Sequence, residues 1–265
     1  MQANVNGVRL VWSERGRKHP TTLLLIHGFP LDRRMWDAQL AGLSKVARVV
    51  APDLRGHGES EVPPGPYTME QHADDLAALL DRLGIERAIV AGLSMGGYVA
   101  FALWRRHAER IQALALLDTR AEPDSPTAKA TRDAAIVKVR EAGSEAFARE
   151  MLPRLLAPQS LANARLAGKA LRIMAAQPVE GIVGALAGMR DRADSRPTLP
   201  SITVPALVVT GEKDAVTPPA VGGEMAAALP HARAVVVPGA GHLSPIEKPR
   251  AVNAALRAFV AQAAA

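Results

Sequence analysis

The stretch Gly92-Leu93-Ser94-Met95-Gly96 decides the fold of this chain because of what stands on either side of it. A short apolar run at residues 88–91 precedes it and is typical of a buried strand, and the apolar residues 97–104 that follow suit a helix. A serine on a sharp turn from strand to helix is typical of a nucleophile elbow. The flanking glycines leave room for the close approach of strand and helix. The pattern therefore predicts Ser94 as a nucleophile at the end of a buried strand.

Two further predicted strands end at residues that could activate Ser94. Residues 204–210 lead into Asp214, and residues 233–237 lead into His242. A serine hydroxyl becomes a good nucleophile when an imidazole takes its proton, and a carboxylate orients and stabilises that imidazole. The carboxyl ends of parallel strands meet at one edge of a sheet. The chain order Ser, Asp, His therefore predicts Ser94, Asp214 and His242 as a catalytic triad.

Two other acidic residues compete with Asp214 for the role of the acid. Asp118 directly follows the apolar run 113–117, so it also lies at the end of a predicted strand. Acids after either strand can reach the histidine in such folds. Glu212 lies only two residues before Asp214. We favour Asp214 and keep Asp118 as the main alternative.

An oxyanion hole is predicted from the loop after an early strand. The apolar residues 22–26 lead into the sequence HGFP at residues 27–30. Backbone N–H groups stabilise the negative charge that acyl transfer places on a carbonyl oxygen. Met95, which follows the nucleophile, supplies one amide; Pro30 has no N–H, so Phe29 is predicted to supply the other. We interpret His27 as a scaffold of this loop.

Five ordered motifs together resemble the α/β-hydrolase fold superfamily over nearly the whole chain. They are HGFP at 27–30, DLRGHGES at 53–60, GLSMGG at 92–97, GEKD at 211–214 and GAGH at 239–242. Within the superfamily the chain is most similar to bacterial carboxylesterases, 3-oxoadipate enol-lactonases and cofactor-free perhydrolases (non-haem haloperoxidases). Dehalogenases of this fold carry aspartate at the nucleophile position, so Ser94 argues against dehalogenation. His57, in the second motif, is expected to serve loop structure.

The resemblance and the alternation of strand and helix patterns predict the same architecture. It is an α/β fold with a mostly parallel eight-stranded sheet, helices on both faces and a helical cap between strands 6 and 7. Strand signals vanish between residues 119 and 200, where helical patterns cover 127–141, 144–156, 161–176 and 179–191. Pro153 is expected to kink or split the second of these. The predicted division is core 1–120, cap 121–198 and core 199–265.

Composition narrows the class of protein further. Of the 265 residues 48% are hydrophobic, so a large buried core is expected. No run approaches the roughly 18 apolar residues of a membrane span, and residues 1–20 do not resemble a secretory signal, which predicts a cytoplasmic protein without membrane contacts. The net charge of +6 comes from scattered arginines with few aromatic residues between them, so no nucleic-acid partner is expected.

The motifs together predict a serine hydrolase that cleaves short-chain carboxylic esters or small lactones without a metal or organic cofactor. Phe29, Met174 and Leu243 are predicted to line a mainly apolar pocket. The alternatives are an enol-lactonase-like lactone hydrolase, a perhydrolase that uses hydrogen peroxide and, more remotely, a non-catalytic ligand receptor. An enol-lactonase would need a cation for its substrate's carboxylate, which Arg33 or Arg34 could supply; we favour a neutral substrate. A homo-oligomer is left open.

Overall fold

The computed structural model describes residues 1–264, and in that range it contains an eight-stranded sheet and ten α-helices. The strands are β1 (Gln2–Val5), β2 (Val8–Arg15), β3 (Thr22–Ile26), β4 (Arg48–Pro52), β5 (Ala88–Leu93), β6 (Ile111–Leu117), β7 (Ala206–Gly211) and β8 (Ala232–Val237). The helices are α1 (Asp37–Leu43), α2 (Met69–Arg82), α3 (Met95–His107), α4 (Pro126–Leu155), α5 (Pro158–Ala162), α6 (Ala164–Ala175), α7 (Val179–Arg190), α8 (Pro219–Ala228), α9 (Ser244–Glu247) and α10 (Pro249–Ala263). Short 3-10 helices cover Arg33–Trp36, Ala108–Arg110 and Arg196–Ser201. Ala265, at the end of the predicted core segment 199–265, lies outside the described residues.

The sheet has the strand order β1-β2-β4-β3-β5-β6-β7-β8. β2 runs antiparallel to β1 and β4, and β3 to β8 pair in parallel. The opening hairpin turns at Asn6 and Gly7, whose φ angles of 48° and 75° suit a two-residue hairpin turn. The parallel arrangement brings the carboxyl ends of β5, β7 and β8 to one edge, which confirms the predicted placement of the three motifs that follow them.

Alternate residues of the central strands point to opposite faces of the sheet, and helices cover both faces. In β3, Leu24 and Ile26 pack into one apolar cluster, which also contains residues of α2 and α3. Leu23 and Leu25 pack into another cluster with residues of α1 and α10. All six residues of β5 are buried, as expected for a strand covered on both sides. The predicted fold class is confirmed.

The helices α4 to α7 lie between β6 and β7, which confirms the predicted helical insertion. Gly143, with φ 79° and ψ 171°, interrupts α4 between the two helical patterns predicted for this region. Helical backbone continues through Pro153 to Leu155, so Pro153 does not split the helix. A proline removes its own N–H bond and crowds the carbonyl four residues before it, but this one stands two residues before the helix ends, where little helix remains to be disrupted.

No single helix within residues 1–264 is both long and apolar enough to cross a membrane. The helices α6 and α7 reach that length and composition only as a pair, across a bend of 89°.

One face of α7 carries three glycines that allow the cap to contact the core closely. A Cβ atom on Gly181 would lie 1.8 Å from the Gly56 carbonyl oxygen, and one on Gly184 would lie 2.5 Å from the Tyr67 ring. A Cβ atom on Gly188 would lie 1.6 Å from the Tyr67 carbonyl oxygen. The Tyr67 N–H also donates to the Gly184 carbonyl over 3.0 Å. The backbone of this cap helix therefore lies directly against the core loop that precedes α2.

We expect Gly188→Ala to destabilise the protein, because the new methyl group would overlap backbone atoms of Tyr67 that cannot rotate away. Overpacking of this kind costs about 1–3 kcal/mol, which corresponds to a fall in Tm of roughly 2–10 °C for a chain of this size. Gly223→Ala in α8 is the matched control, because a Cβ there meets no atom within 4 Å. Helix propensity should make the control neutral or slightly stabilising. Equal Tm values for the two variants would contradict the close contact.

Candidate active site

Ser94 lies at the turn between β5 and α3 in a backbone conformation that serine rarely adopts. Its φ is 51° and its ψ is −113°. A Cβ atom on Gly92 would lie 2.2 Å from the Gly96 carbonyl oxygen, and one on Gly96 would lie 2.3 Å from the Ile26 carbonyl oxygen. Only glycine fits at these two positions, which explains the predicted pattern around the serine. Such a turn costs on the order of 1–3 kcal/mol and persists only where surrounding structure holds it.

The end of β6 holds this turn from the neighbouring strand. The Ser94 N–H donates to the Leu117 carbonyl over 2.9 Å, and the Thr119 hydroxyl donates to the Ser94 carbonyl over 2.8 Å. Thr119 also fills the space beside Gly97, where a Cβ atom would come within 2.4 Å of its hydroxyl oxygen. The serine backbone is therefore hydrogen-bonded on both sides, and its side chain is left half-buried at the sheet edge.

The three predicted triad residues form one continuous hydrogen-bonded chain. The Nε2 atom of His242 lies 2.9 Å from the Ser94 Oγ atom. On the other side of the ring, Nδ1 lies 2.8 Å from the Oδ2 atom of Asp214. His242 and Asp214 are both buried. With Nδ1 protonated by its contact with the carboxylate, Nε2 is free to accept the serine proton.

Asp214 is held by the residues that follow it. Its Oδ1 atom accepts hydrogen bonds from the N–H groups of Val216 and Thr217 over 2.8 and 2.9 Å. The Thr217 hydroxyl donates to Oδ2 over 2.5 Å. This local turn aims the carboxylate at His242. Sequence reasoning missed Thr217. An aspartate commonly accepts the backbone N–H two residues on in a turn, as Asp214 does from Val216, but that pattern does not identify the threonine.

The electrostatics of the pair favour the ion pair of Asp214 with a protonated His242. Burial raises the pKa of the Asp214 carboxyl, but hydrogen bonds from His242 and Thr217 outweigh burial and leave that pKa below its usual range. Burial lowers the pKa of His242, but its hydrogen bond and charge interaction with Asp214 leave that pKa above the ordinary 6.5. The imidazole is therefore a stronger base than an isolated buried histidine.

Asp118, the alternative acid, lies near the triad but contacts different groups. Its Oδ1 atom accepts from the Gly211 N–H over 2.7 Å, and its Oδ2 atom accepts from the Ser244 hydroxyl over 2.5 Å. Burial raises the pKa of Asp118 to about 7. Asp214, and not Asp118, is hydrogen-bonded to His242. Ser244 is a second residue that sequence reasoning missed, because its partner is 126 positions away in the chain.

The loop predicted to form the oxyanion hole packs against the turn that carries Ser94. A Cβ atom on Gly28 would lie 2.8 Å from the Leu93 side chain and 3.4 Å from the Ser94 Cβ atom. This contact places the adjacent residue Phe29 close to the turn that carries Ser94. His27 is fully buried, with Nδ1 3.0 Å from the Gly28 carbonyl oxygen and Nε2 accepting the Leu54 N–H over 3.0 Å. Both nitrogens of His27 thus serve the loop.

The second amide predicted for the oxyanion hole belongs to Met95, the first residue of α3. The N–H groups of the first helical turn have no partner inside the helix and point out of its N-terminus. The assignment of the amides of Phe29 and Met95 to an oxyanion hole stays a prediction.

The predicted pocket residues divide between the two apolar clusters. Phe29 lies in the same cluster as Met95 and packs edge-to-face on Phe147 of the cap, with ring centroids 6.1 Å apart. Met174 and Leu243 are buried in the other cluster. Their contact with a substrate stays a prediction. Within residues 1–264 no group of three or more His, Asp or Glu side chains is arranged to hold a metal ion.

The two arginines after the oxyanion loop are already paired with carboxylates. Arg33 forms ion pairs with Asp53 and, over 2.7 Å, with Glu59. Arg34 pairs with Asp32 over 2.5 Å. A substrate carboxylate would have to compete with these buried or local partners. The pairing therefore disfavours either guanidinium as an anion clamp.

Comparison with known proteins agrees with this geometry. The family model described as alpha/beta hydrolase fold matches residues 21–249. A thermophilic esterase from Thermogutta terrifontis, solved with malate bound, is 43% identical with a TM-score of 0.94, over 99% of this chain and 97% of that one. The enol-lactonase from Burkholderia xenovorans LB400 is 37% identical with a TM-score of 0.92, over 98% of this chain and 100% of that one. The chain is also 31% identical to 3-oxoadipate enol-lactonase 2 of Acinetobacter baylyi, over 96% of this chain and 93% of the relative. The chain therefore belongs to the α/β-hydrolase fold family.

Proposed function

We propose that this protein is a serine hydrolase that cleaves short-chain carboxylic esters or small lactones through an acyl-enzyme on Ser94. The observation that carries the proposal is the hydrogen-bonded chain from the Ser94 Oγ atom through His242 to Asp214. The esterase and enol-lactonase relatives support ester or lactone hydrolysis as the reaction class. The proposed partner is a small molecule, and the chemistry needs no cofactor.

In the first half of the proposed reaction, Ser94 Oγ attacks the acyl carbon while the Nε2 atom of His242 takes the hydroxyl proton. Asp214 remains charged and stabilises the imidazolium that forms. Negative charge develops on the carbonyl oxygen, where the amides of Phe29 and Met95 would stabilise it. The imidazolium then gives its proton to the leaving alkoxide, which departs and leaves an acyl group on Ser94.

In the second half, His242 takes a proton from water, and the resulting hydroxide attacks the acyl carbon. The tetrahedral intermediate collapses, Ser94 recovers its proton from His242, and the carboxylic acid leaves. A lactone differs only in that its alcohol remains attached to the acid that is released. Hydrogen peroxide in place of water would give a peracid from the same acyl-enzyme, which is the perhydrolase alternative.

A neutral substrate is favoured because the nearby arginines already have acidic partners. Phe29, which follows the glycine packed on the turn of Ser94, contacts Phe147 of the cap, and such an apolar pair would suit an uncharged acyl group. The similarity to enol-lactonases supports lactone hydrolysis as the alternative reaction. A non-catalytic receptor would bind an ester without turning it over.

Replacing Ser94 by Ala should lower kcat on a chromogenic short-chain ester by about five to six orders of magnitude, because the triad acts as a unit. A serine-directed phosphonate should label the wild-type protein at Ser94, as read by mass spectrometry, and should not label the variant. Multiple turnovers by the wild-type protein exclude the receptor. Labelling of another serine, or turnover by Ser94→Ala, would falsify the mechanism.

Asp214→Asn should cost about four orders of magnitude in kcat, because the amide favours the wrong imidazole tautomer. The carboxylate also raises the pKa of His242. His242 must be neutral to act as a base. Loss of the Asp214 carboxylate should lower the pKa of His242 and so move the rising limb of the kcat/KM profile to lower pH. Asp118→Asn is the matched control and should cost much less. If the two losses are reversed, Asp118 is the acid.

The substrate preference is tested by kcat/KM for a neutral lactone and for its carboxylate-bearing analogue at low and high salt. With Arg33 and Arg34 held in ion pairs, we expect no preference of more than about threefold for the anion, and little effect of salt on the ratio. A strong preference for the anion that salt weakens and that Arg33→Ala or Arg34→Ala abolishes would overturn this expectation.

A further inference from the structure

The loop that carries His242 is joined directly to the cap. We call residues 155–157, from the last residue of α4 to the residue before α5, the cap strap. The His242 N–H donates to the Leu155 carbonyl over 2.9 Å. A Cβ atom on Gly241 would lie 2.4 Å from the Ala157 nitrogen, so the two backbones are in contact. The position of the cap strap therefore affects the backbone from which the catalytic imidazole projects.

A single side chain, Glu247 of α9, joins the two segments. Its Oε2 atom accepts the N–H of Ala157 in the cap strap over 2.9 Å. Its Oε1 atom accepts the N–H groups of Gly241 and Leu243 over 2.9 and 3.2 Å. These two residues stand immediately before and after His242 in the chain. Glu247 thus holds the histidine backbone from both sides while it binds the cap with its other oxygen.

The chemistry of this site requires a carboxylate. Glu247 is buried, and among the described residues no Lys, Arg or His side chain forms an ion pair with it. Its three partners are all backbone donors, so both oxygens must accept hydrogen bonds. A glutamine has only one acceptor oxygen, and its NH₂ group would face an N–H group on one of the two sides.

We propose that Glu247 is a positioning residue that couples the cap strap to His242, so that the seating of the cap sets the imidazole between Ser94 and Asp214. The inference rests on the proposed function and adds to it a residue that does not touch the substrate. An error of about 1 Å in the placement of a catalytic group can cost 10²-fold in rate. The cap therefore acts on the chemistry as well as on the shape of the pocket.

Variants on both sides of the contact test this role. Glu247→Ala removes all three hydrogen bonds. Glu247→Gln keeps an acceptor oxygen either for the cap strap or for the loop that carries His242, but not for both. Ala157→Pro removes the donor in the cap, and its ring carbon would displace the Glu247 Oε2 atom from that side while leaving the carboxylate in the chain. The φ of Ala157 is −60°, and Leu156 before it is extended with ψ 144°, so the backbone accepts proline at this position.

Glu212→Gln is the matched control. Glu212 also accepts a backbone N–H of the histidine loop, that of Gly239 over 2.8 Å, but it is exposed and its other partner is Lys213. The kcat of Glu212→Gln should stay within about twofold of the wild-type value. Active sites are titrated with the phosphonate in every preparation, so that loss of folded protein is not counted as loss of rate.

We expect Glu247→Ala to lower kcat per titrated site by roughly 10- to 100-fold with KM changed by less than about threefold. Glu247→Gln should be intermediate. The rate of phosphonate labelling of Ser94 should fall with kcat, and the rising limb of its pH profile should move to lower pH because the bond of His242 to Asp214 is held less well. A residue that only stabilises the fold would lower Tm and leave these readouts unchanged.

The double variant Ala157→Pro with Glu247→Gln decides whether the two sites act through one contact. If they do, the double variant is no slower than the slower single variant; independent effects would multiply. Multiplied losses, or wild-type kcat and pH profile per titrated site in Glu247→Ala, would overturn the coupling while leaving the serine mechanism intact. Failure of the wild-type protein to be labelled at Ser94 would instead overturn the proposed function, and this inference with it.

Discussion

The strained turn at Ser94 is the constraint on which the rest of this structure depends. A serine with φ 51° presents its hydroxyl at the sheet edge only while β5 enters the turn and α3 leaves it at close range. Gly92 and Gly96 make that approach sterically feasible. The last residue of β6, Leu117, and Thr119, two residues beyond that strand, hold the turn. Strain of this kind persists where surrounding structure over-determines it. The large parallel sheet, covered on both faces, provides that rigidity, and the other candidate catalytic groups are placed relative to it.

Two buried carboxylates lie near one imidazole, and their different hydrogen-bond partners give them opposite pKa shifts. Asp214 accepts hydrogen bonds from two backbone N–H groups, from a hydroxyl and from the ring of His242. These contacts keep the pKa of Asp214 low despite its burial. Asp118 instead accepts from Gly211, at the end of β7, and from Ser244, just after the histidine, and burial raises its pKa to about 7. Asp118 thereby connects the end of β7, which leads to Asp214, with the loop that carries His242. Position at a strand end made both residues candidates, and the contacts of each show which one is hydrogen-bonded to His242.

The cap is connected to the core at two places that differ in kind. The glycines of α7, among them Gly184 and Gly188, bring helix backbone against Tyr67, a contact based on shape. The cap strap contacts the histidine loop through hydrogen bonds to Glu247 and from His242. The cap is thus in direct contact with the backbone of His242, the proposed general base.

The sequence by itself determined the strand-to-helix turn at Ser94, the order of the triad and the helical insertion after β6, because these features are local patterns of glycine, apolar runs and strand ends. It favoured Asp214 as the acid but kept Asp118 as the main alternative, since both follow buried strands. Only the tertiary structure decided which carboxylate contacts His242, and only it placed the guanidiniums of Arg33 and Arg34 in ion pairs. The role inferred for Glu247 had no sequence signal at all. Its partner in the cap is 90 positions away, and hydrogen bonds to backbone N–H groups impose no residue type on the partner, so such contacts become visible only when the chain has folded.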